Sequence, residues 1–208
     1  MPLFKTLSVS ETTKVIIWKI EETIEELQKH ISLSDYSKQR LESMKSELRQ
    51  KEFLSIRNIL KEFNIQDSDL QYDEYGKPHL KDGRFISMTH SFQFTGVIVS
   101  EEKSVGIDIE KQREKILKIA NKFTPFEEYK TIANVATLTR KLTIVWGGKE
   151  SLYKIYGEKK LLFLHHIFIE DFNFEDEKTT GTIRFEGTET NYDIEFLEFE
   201  DFTCVYAY

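Results

Sequence analysis

The stretch Val105-Gly106-Ile107-Asp108-Ile109-Glu110 decides the fold of the second half of this chain. Its apolar and polar residues alternate, which predicts a β-strand with one face in a core. Because successive side chains of a strand point to opposite faces, Asp108 and Glu110 are expected on one face and the isoleucines on the other. The stretch therefore predicts a strand that presents two carboxylates side by side.

The stretch from Trp146 to Lys154, WGGKESLYK, is predicted to be a helix that adds a third carboxylate. Glu150 and Lys154 are four residues apart and so share one helical face. Three carboxylates on two rigid elements suit a hard cation such as Mg²⁺, which proteins hold with a few carboxylates and a substrate phosphate. From the residues alone we predict a metal-assisted enzyme that acts on a phosphate compound, with Asp108, Glu110 and Glu150 as metal ligands.

The composition is that of a globular protein and argues against two kinds of partner. The 208 residues are 39% hydrophobic, enough for a core in one large domain or two small ones. The net charge is -7, whereas nucleic-acid binders carry excess positive charge. No stretch reaches the roughly 20 apolar residues of a membrane span, and the single cysteine, Cys204, fits a reducing compartment. We expect a cytoplasmic protein with no nucleic-acid or membrane partner.

The order of predicted elements divides the chain into two α+β lobes, residues 1–103 and 104–208. In the first lobe, a strand over residues 15–20 precedes a short helix that has Ile24, Leu27 and Ile31 on one face. A helical region capped at Ser34 follows, either as one bent helix or as two. Short strands and turns complete the lobe.

The second lobe repeats this order loosely. Residues 97–99 at the end of the first lobe and residues 105–109 are predicted to form a hairpin with a longer loop, and the second lobe opens with the strand over residues 105–110. A basic helical segment follows, and Thr124-Pro125 predicts the start of a further helix through residues 127–129. The helix that contains Trp146 is expected to end near Gly157, ahead of four strands. The shared order predicts two similar lobes related by a pseudo-twofold axis.

Three blocks of sequence occur in the order and spacing of one known family. They are Gly76-Lys77-Pro78 followed by Thr89-His90-Ser91, then Val105-Gly106-Ile107-Asp108-Ile109-Glu110, then Trp146-x-x-Lys149-Glu150-Ser151-x-x-Lys154. Together they resemble the 4'-phosphopantetheinyl transferases, in particular the monomeric two-lobed type that activates peptide synthetases. Each block alone is common, and it is their combination that carries the resemblance.

The resemblance implies an α+β fold of two lobes, with coenzyme A and Mg²⁺ bound in the cleft between them. It implies a holo-[carrier protein] synthase, which moves the 4'-phosphopantetheine arm of coenzyme A onto a serine of an apo acyl or peptidyl carrier protein and releases adenosine 3',5'-bisphosphate. A monomer is expected, because single-lobe relatives must assemble to build the same cleft. The alternatives are another Mg²⁺-dependent phosphohydrolase and a non-catalytic relative that binds coenzyme A or carrier proteins.

The resemblance also assigns roles at the acidic centre. Asp108, Glu110 and Glu150 would hold Mg²⁺ beside the pyrophosphate of coenzyme A. Lys154 would stabilise charge on the bridging or leaving oxygen. The base that takes the serine proton is left open between Glu150, a water on the metal, and Glu128.

Residues of the first lobe are expected at the nucleotide end of coenzyme A. His90 would contact the 3'-phosphate, with Thr89 donating through its hydroxyl where the family usually has Ser. Lys77 would meet the nucleotide phosphates, and Pro78 would shape the turn. Further cations that would bind the 3'-phosphate, unless they form an ordinary solvated helix face, are Arg49 and Arg57, or Lys45.

Three features leave alternatives open. Gly147-Gly148 departs from the family pattern and costs about 1 kcal/mol per glycine relative to alanine in a helix interior. The pair permits close packing, gives access to the pantetheine arm, or loosens the site. Lys149 is either a substrate contact or part of a structural ion pair. A basic run after the first acidic strand is either a docking surface for an acidic carrier protein or a solvated helix face; its cations are Lys111, Arg113, Lys115, Lys118 and Lys122.

Overall fold

The computed structural model describes residues 3–126, 129, 132 and 134–208. The chain divides into two compact units, Met1–Ser104 and Val105–Tyr208. Each unit combines an antiparallel sheet with one long helix. The predicted α+β class is confirmed.

The N-terminal unit is built on a four-stranded sheet. Its strands are β1 (Leu3–Ser8), β2 (Thr13–Lys19), β3 (Leu70–Tyr72), β4 (Pro78–Leu80), β5 (Phe85–Ser91) and β6 (Phe94–Ser100), and its helices are α1 (Ile24–Gln28), α2 (Asp35–Ser43) and α3 (Glu47–Glu62). The main sheet has the order β1-β2-β6-β5, and β3 and β4 form a separate hairpin.

The structure corrects the start of this unit. The strand predicted over residues 15–20 corresponds to β2, which ends at Lys19, and β1 precedes it. β1 lacks a clear apolar pattern because half of its side chains, Lys5 among them, are exposed at the edge of the sheet. The helical region consists of two helices, because the backbone is extended at Met44 and Ser46 caps α3. Ser34 caps α2, as predicted.

Helix α3 packs on the inner strands of the sheet, β2 and β6. Ile56, Ile59 and Leu60 of the helix join sheet residues that include Trp18 in one buried cluster. This cluster forms a core that belongs to the N-terminal unit alone.

A buried hydrogen bond fixes how α3 sits on the sheet. Ser55 Oγ and Thr95 Oγ1, both fully buried, are 2.9 Å apart. Thr95 is the cross-strand partner of His90, and such partners point to the same face of a sheet. His90 therefore points towards α3.

The C-terminal unit is a five-stranded antiparallel sheet covered by one long helix. Its elements are β7 (Gly106–Lys111), α4 (Val135–Tyr156), α5 (Phe163–His166), β8 (Ile167–Ile169), β9 (Lys178–Phe185), β10 (Thr188–Phe199) and β11 (Phe202–Ala207). The strand order is β7-β11-β10-β9-β8. Among the described residues, neither α4 nor any other helix is both long enough and apolar enough to cross a membrane.

Two predictions about the start of this unit are wrong. β6 and β7 do not form a hairpin, because β6 pairs within the N-terminal sheet and β7 pairs with β11. The basic segment is not an α-helix but two short 3-10 turns, Glu114–Lys118 and Ala120–Lys122. The helix predicted through residues 127–129 falls at Glu127 and Glu128, which lie outside the described residues.

Helix α4 ends where predicted and lies very close to the sheet. Gly157, with a φ of 84°, terminates it. A Cβ on Gly106 of β7 would lie 2.0 Å from the backbone oxygen of Ser151, and a Cβ on Gly147 would lie 2.7 Å from Val205 Cγ2. Of the two alternatives for the glycine pair in α4, the structure supports close packing, since a side chain at 147 would push the helix off the sheet.

Candidate active site

Strand β7 presents two carboxylates to α4 from the edge of its sheet. Asp108 lies opposite Val205, and Glu110 lies opposite Thr203. A Cβ built on Gly147 of α4 would lie 3.9 Å from Asp108 Oδ2, so this carboxylate faces the helix. Asp108 is 6% exposed and Glu110 is half-buried. Because Gly147 has no side chain, the buried carboxylate of Asp108 fits between the strand and the helix.

Lys154 connects the helix to this strand. Its Nζ donates to Asp108 Oδ1 at 2.8 Å and to the backbone oxygen of Ile107 at 2.7 Å. The lysine side chain is 29% exposed, so its ammonium is held at the rim of the site rather than inside the core. The positively charged group that pairs with Asp108 is therefore the ammonium of Lys154, which belongs to the same unit.

Glu150 is half-buried on α4, and the charges of both strand carboxylates affect its pKa. Burial raises the pKa of Glu150 most, the charge of Asp108 raises it further, Lys154 lowers it, and Glu110 adds a smaller increase, with a result of about 7. A carboxyl with such a pKa can hold or release a proton near neutral pH. Glu128, the other side chain considered as a base, lies outside the described residues.

Trp146 supports Glu110 from the helix. Burial and the charge of Asp108 raise the pKa of Glu110 above its ordinary value, while the charge of Arg113 and a hydrogen bond from Trp146 lower it. The indole N–H can only donate, so Glu110 accepts. The Trp146 ring packs 5.1 Å from the ring of Phe123 and 5.2 Å from that of Phe163, which fixes its orientation.

The donor set at this centre suits a divalent cation by its chemistry. Asp108, Glu110 and Glu150 supply hard oxygen donors, and two of them have raised pKa values that come partly from mutual repulsion. As the side chains stand, the described residues contain no group of three or more His, Cys, Asp or Glu placed to hold a metal ion. The assignment of the three carboxylates as metal ligands remains a prediction.

Lys149 has a different environment from Lys154. It is 2% exposed, and its Nζ donates to the backbone oxygens of Phe163 at 2.8 Å and Ile167 at 2.5 Å. These carbonyls lie at the start of α5 and just beyond its end, so Lys149 ties α4 to that short helix. Of the two roles considered, this geometry favours the structural one.

A second group of charged side chains lies in the N-terminal unit, between α3 and β5. Glu52 Oε2 accepts from Arg49 Nη1 at 3.1 Å and lies 3.4 Å from His90 Nδ1. Arg49 Nη1 also lies 3.0 Å from His90 Nε2. Arg49 and His90 are exposed, whereas Glu52 is buried. The structure thus brings together two of the residues expected at the 3'-phosphate.

Two other residues expected at the 3'-phosphate do not join this group. Thr89 is buried and, as the neighbour of His90 in β5, points to the opposite face of the sheet. Arg57 is also buried, with its Nε 2.9 Å from Asp67 Oδ1 and its guanidinium carbon 3.4 Å from the centre of the Phe53 ring. The prediction that Arg57 either binds phosphate or lies on a solvated helix face is corrected, because its guanidinium is part of the core.

Lys77 ends the tight turn before β4, and Pro78 is the first residue of that strand. Gly76 has a φ of 87°, and the backbone N–H of Lys77 donates to Asp73 Oδ1 at 2.9 Å. Burial lowers the pKa of the Lys77 ammonium, and the charge of Asp73 opposes this. Pro78 pairs with Tyr72 at the start of the β3–β4 hairpin. The turn holds Lys77 half-buried, and its contact with nucleotide phosphates stays a prediction.

Trp146 and Glu52 are site residues to which the sequence analysis assigned no role. Trp146 lies four residues before Glu150, so helical spacing alone places both on one face. Arg49 and Glu52 are three residues apart, so they also share one face of their helix. The approach of His90 to them depends on the pairing of β5 with β6 and on the packing of α3, which no local pattern reveals.

The fold and the site define a two-unit α+β protein whose C-terminal unit holds a half-buried acidic centre with a lysine ion pair. Residues 104–207 match the family model of the 4'-phosphopantetheinyl transferase superfamily. The match covers half of the chain, and the chain belongs to this superfamily. It matches none of the curated proteins with which it was compared. Membership supports phosphopantetheinyl transfer as the general activity.

Proposed function

We propose that this protein is a holo-[carrier protein] synthase, which transfers the 4'-phosphopantetheine arm of coenzyme A to a serine of an apo acyl or peptidyl carrier protein. Adenosine 3',5'-bisphosphate is the other product. The observation that carries the proposal is the ion pair between Lys154 and the buried Asp108, at the contact of the strand and helix within the region matched to the family. It combines an acidic centre with a cation suited to a pyrophosphate.

The transfer is a displacement at phosphorus. The serine oxygen attacks the phosphorus that bears the pantetheine arm, and the bond from this phosphorus to the oxygen shared with the nucleotide breaks. The electron pair of that bond leaves with the bisphosphate, and the serine proton passes to a base. Glu150 is one candidate for this base, because it lies beside the two strand carboxylates and its pKa in the metal-free site is raised to about 7; a bound water and Glu128 stay as alternatives.

Asp108, Glu110 and Glu150 would hold Mg²⁺. When bound, the metal would offset the carboxylate charges and stabilise negative charge on the phosphates. Trp146 would keep Glu110 oriented, and Lys154 would place its ammonium next to the phosphate oxygens, where charge develops as the bond breaks. At the nucleotide end, Lys77 and Arg49 would supply positive charge, and His90 would supply a hydrogen-bonding ring nitrogen. That one coenzyme A molecule reaches both units stays a prediction of the resemblance.

The carrier protein would dock beside Glu110. A depression of about 200 Å³ borders this residue. Its apolar lining is Ile116, Ile119 and Trp146, and its basic lining is Lys111, Arg113 and Lys115. Lys115 and Lys118 are exposed on the first 3-10 turn. An acidic carrier would find both complementary charge and a recess next to the reacting groups.

Intact-mass spectrometry of apo carrier proteins tests the proposal. A fatty-acid-type carrier and a peptide-synthetase-type carrier are each incubated with the protein, coenzyme A and Mg²⁺. We expect one carrier at least to gain the mass of a phosphopantetheine arm, and we expect no gain without the metal or with Glu150→Gln. The exposed Glu102→Gln variant serves as the matched control and should transfer normally.

The same experiment tests the alternatives. Breakdown of coenzyme A with no gain in carrier mass would indicate a phosphohydrolase. Binding of coenzyme A with neither reaction would indicate a non-catalytic relative. Either result contradicts the proposed transfer to these carriers.

A further inference from the structure

Glu52 is a buried acid that lies beneath two exposed nitrogen-bearing side chains. The residue is 4% exposed, while the side chain of Arg49 is 58% exposed and that of His90 is 47% exposed. A single oxygen, Oε2, contacts both of them, at 3.1 Å from Arg49 Nη1 and 3.4 Å from His90 Nδ1. Burying a carboxylate is costly unless it is paired, so this arrangement holds all three groups in place.

The fold keeps Glu52 rigid. One turn further along α3, Ser55 is hydrogen-bonded to Thr95, which is the cross-strand partner of His90. The helix that carries Glu52 and the strand that carries His90 are therefore locked together next to the charged group. The carboxylate can hold Arg49 and His90 in one orientation without having to be ordered itself.

We propose that Glu52 is a positioning residue, which holds Arg49 and His90 as a clamp for a phosphate monoester. The inference rests on the proposed function, in which that monoester is the 3'-phosphate of coenzyme A. Glu52 touches no substrate; it acts through the two side chains that it orients. Without it, the guanidinium and the imidazole would have to be ordered when the phosphate binds, at a cost in side-chain entropy.

The direction in which the affinity for phosphate changes on removal of Glu52 distinguishes a positioning role from a purely electrostatic one. Glu52 is negative, so by Coulomb attraction alone its removal should strengthen the binding of a phosphate. If the carboxylate orients the clamp, its removal should weaken binding instead. Glu52→Gln keeps the size of the side chain but removes its charge, so the remaining carbonyl oxygen can accept only a weaker, neutral-acceptor hydrogen bond from Arg49.

Calorimetric titration with coenzyme A and with 3'-dephospho-coenzyme A tests this inference, because the two ligands differ only in the 3'-phosphate. For Glu52→Gln we expect the Kd of coenzyme A to rise about tenfold, as for the loss of a charged hydrogen bond. The Kd of the dephospho compound should stay the same. Glu62→Gln, an exposed substitution near the end of the same helix, is the matched control and should change neither Kd.

A second variant guards against misfolding. Glu52→Asp keeps the charge but withdraws the carboxylate, and it should weaken coenzyme A selectively as well. In a protein that already carries Arg49→Ala and His90→Ala, Glu52→Gln should cause no further rise in the Kd of coenzyme A relative to that of the dephospho compound.

Tighter or unchanged binding of coenzyme A by Glu52→Gln would overturn the inference. So would an equal loss for both ligands, or a wild-type protein that does not distinguish them. The transfer assay is independent: selective binding without transfer contradicts the proposed function and leaves the clamp standing, whereas transfer without a selective effect of Glu52 does the reverse.

Discussion

At the scale of single residues, two lysines of α4 have opposite environments. Lys149 donates to backbone oxygens inside the unit, and Lys154 pairs with Asp108 at the rim. Both belong to one short block of sequence, and residue type alone does not distinguish them. Their difference comes from the helical face that each occupies, because one face meets α5 and the other meets β7.

Substitution of these lysines should separate stability from catalysis. Lys149→Met leaves two buried carbonyls without their donor, so we expect the free energy of unfolding to fall by about 2 kcal/mol. Lys154→Met should lower kcat by about 100-fold, because it removes a charge that acts on the developing oxyanion. Chemical denaturation and the transfer assay measure the two effects. A Lys149→Met protein of unchanged stability, or a fully active Lys154→Met protein, would show that these roles are wrong.

Asp67 should make the stability of the N-terminal unit depend on pH. Burial alone would raise its pKa, but hydrogen bonds from Ser34 and Ser37 and the charge of Arg57 hold it below the ordinary value of 3.8. A carboxyl whose pKa is depressed by folding stabilises the protein above its ordinary pKa, and this contribution disappears as the pH falls through the lower pKa of the folded state.

We therefore expect Asp67→Asn to lower the free energy of unfolding by about 3 kcal/mol at neutral pH, since it breaks a buried ion pair. The difference from the wild type should shrink as the pH falls below 3.8, the ordinary pKa of the carboxyl. Denaturant titrations at several pH values measure it. The exposed Asp193→Asn variant is the control, and a gap between Asp67→Asn and the wild type that stays constant with pH would contradict the assignment.

Phe92 occupies an unfavourable backbone conformation. It lies in the turn between β5 and β6 with a φ of 54°, a region that costs a residue with a Cβ about 1–2 kcal/mol. Phe92→Gly and Phe92→Ala both remove the ring, so the difference between the stabilities of the two variants measures the cost of the backbone conformation. We expect the glycine variant to be more stable by about 1 kcal/mol in thermal or chemical denaturation; equal stabilities would mean that the turn rearranges.

At the scale of secondary-structure elements, the site depends on how closely α4 approaches β7. Gly106→Ala would place a methyl group 2.0 Å from a helix backbone oxygen, which cannot move alone. Gly148→Ala is a milder change, because the nearest atom is the terminal Cδ1 of Ile169 at 3.1 Å. These glycines thus differ in what a methyl group would displace.

We expect Gly106→Ala to shift α4 and to lower kcat at least 10-fold, since small misplacements at a reacting centre are costly. Gly148→Ala should keep most of the activity. Steady-state kinetics with circular dichroism as the check on folding would measure both. Similar activities would mean that the helix can move off the strand without harm.

The elements that local patterns predict well are those with one clean apolar face. β5, β7 and the C-terminal part of α4 lie near the expected positions, whereas α4 begins at Val135, ahead of the stretch that was predicted to be helical. The partner of β7 could not be predicted, because pairing with β11 depends on residues about a hundred positions away. The segment after β7 was predicted to be helical, and it forms 3-10 turns from which Ile116, Leu117 and Ile119 pack in one cluster with residues of α4.

For the candidate site, the sequence predicted which carboxylates share a strand and which lysine shares a face with Glu150. It did not predict that Arg57 is buried or that Glu52 reaches His90. Those contacts depend on tertiary packing of α3. Sequence spacing cannot predict such contacts, because a charged residue at a given helical position can either form a buried ion pair or face solvent.

At the scale of the whole molecule, a net charge of -7 coexists with a local run of cations. An acidic carrier would be repelled by the protein as a whole and attracted only near the exposed 3-10 turn, so the encounter should depend on salt. We expect Lys115→Glu with Lys118→Glu to raise the KM for carrier about tenfold and to leave the KM for coenzyme A unchanged.

Kinetics at low and physiological ionic strength measure this effect. Added salt should raise the wild-type KM for carrier more than that of the double variant. Lys29→Glu, an exposed change in the N-terminal unit, is the control. An unchanged KM for carrier in the double variant would show that the run is only a solvated surface.

Each half of the chain carries its own optical probe. The protein has two tryptophans; Trp18 lies in the core of the N-terminal unit, and Trp146 lies beside Glu110 in the C-terminal unit. Replacing one or the other by phenylalanine would give two single-tryptophan proteins that emit from different halves. Quenching or a spectral shift on addition of a ligand could then be attributed to one half directly, without a label and without a working assay.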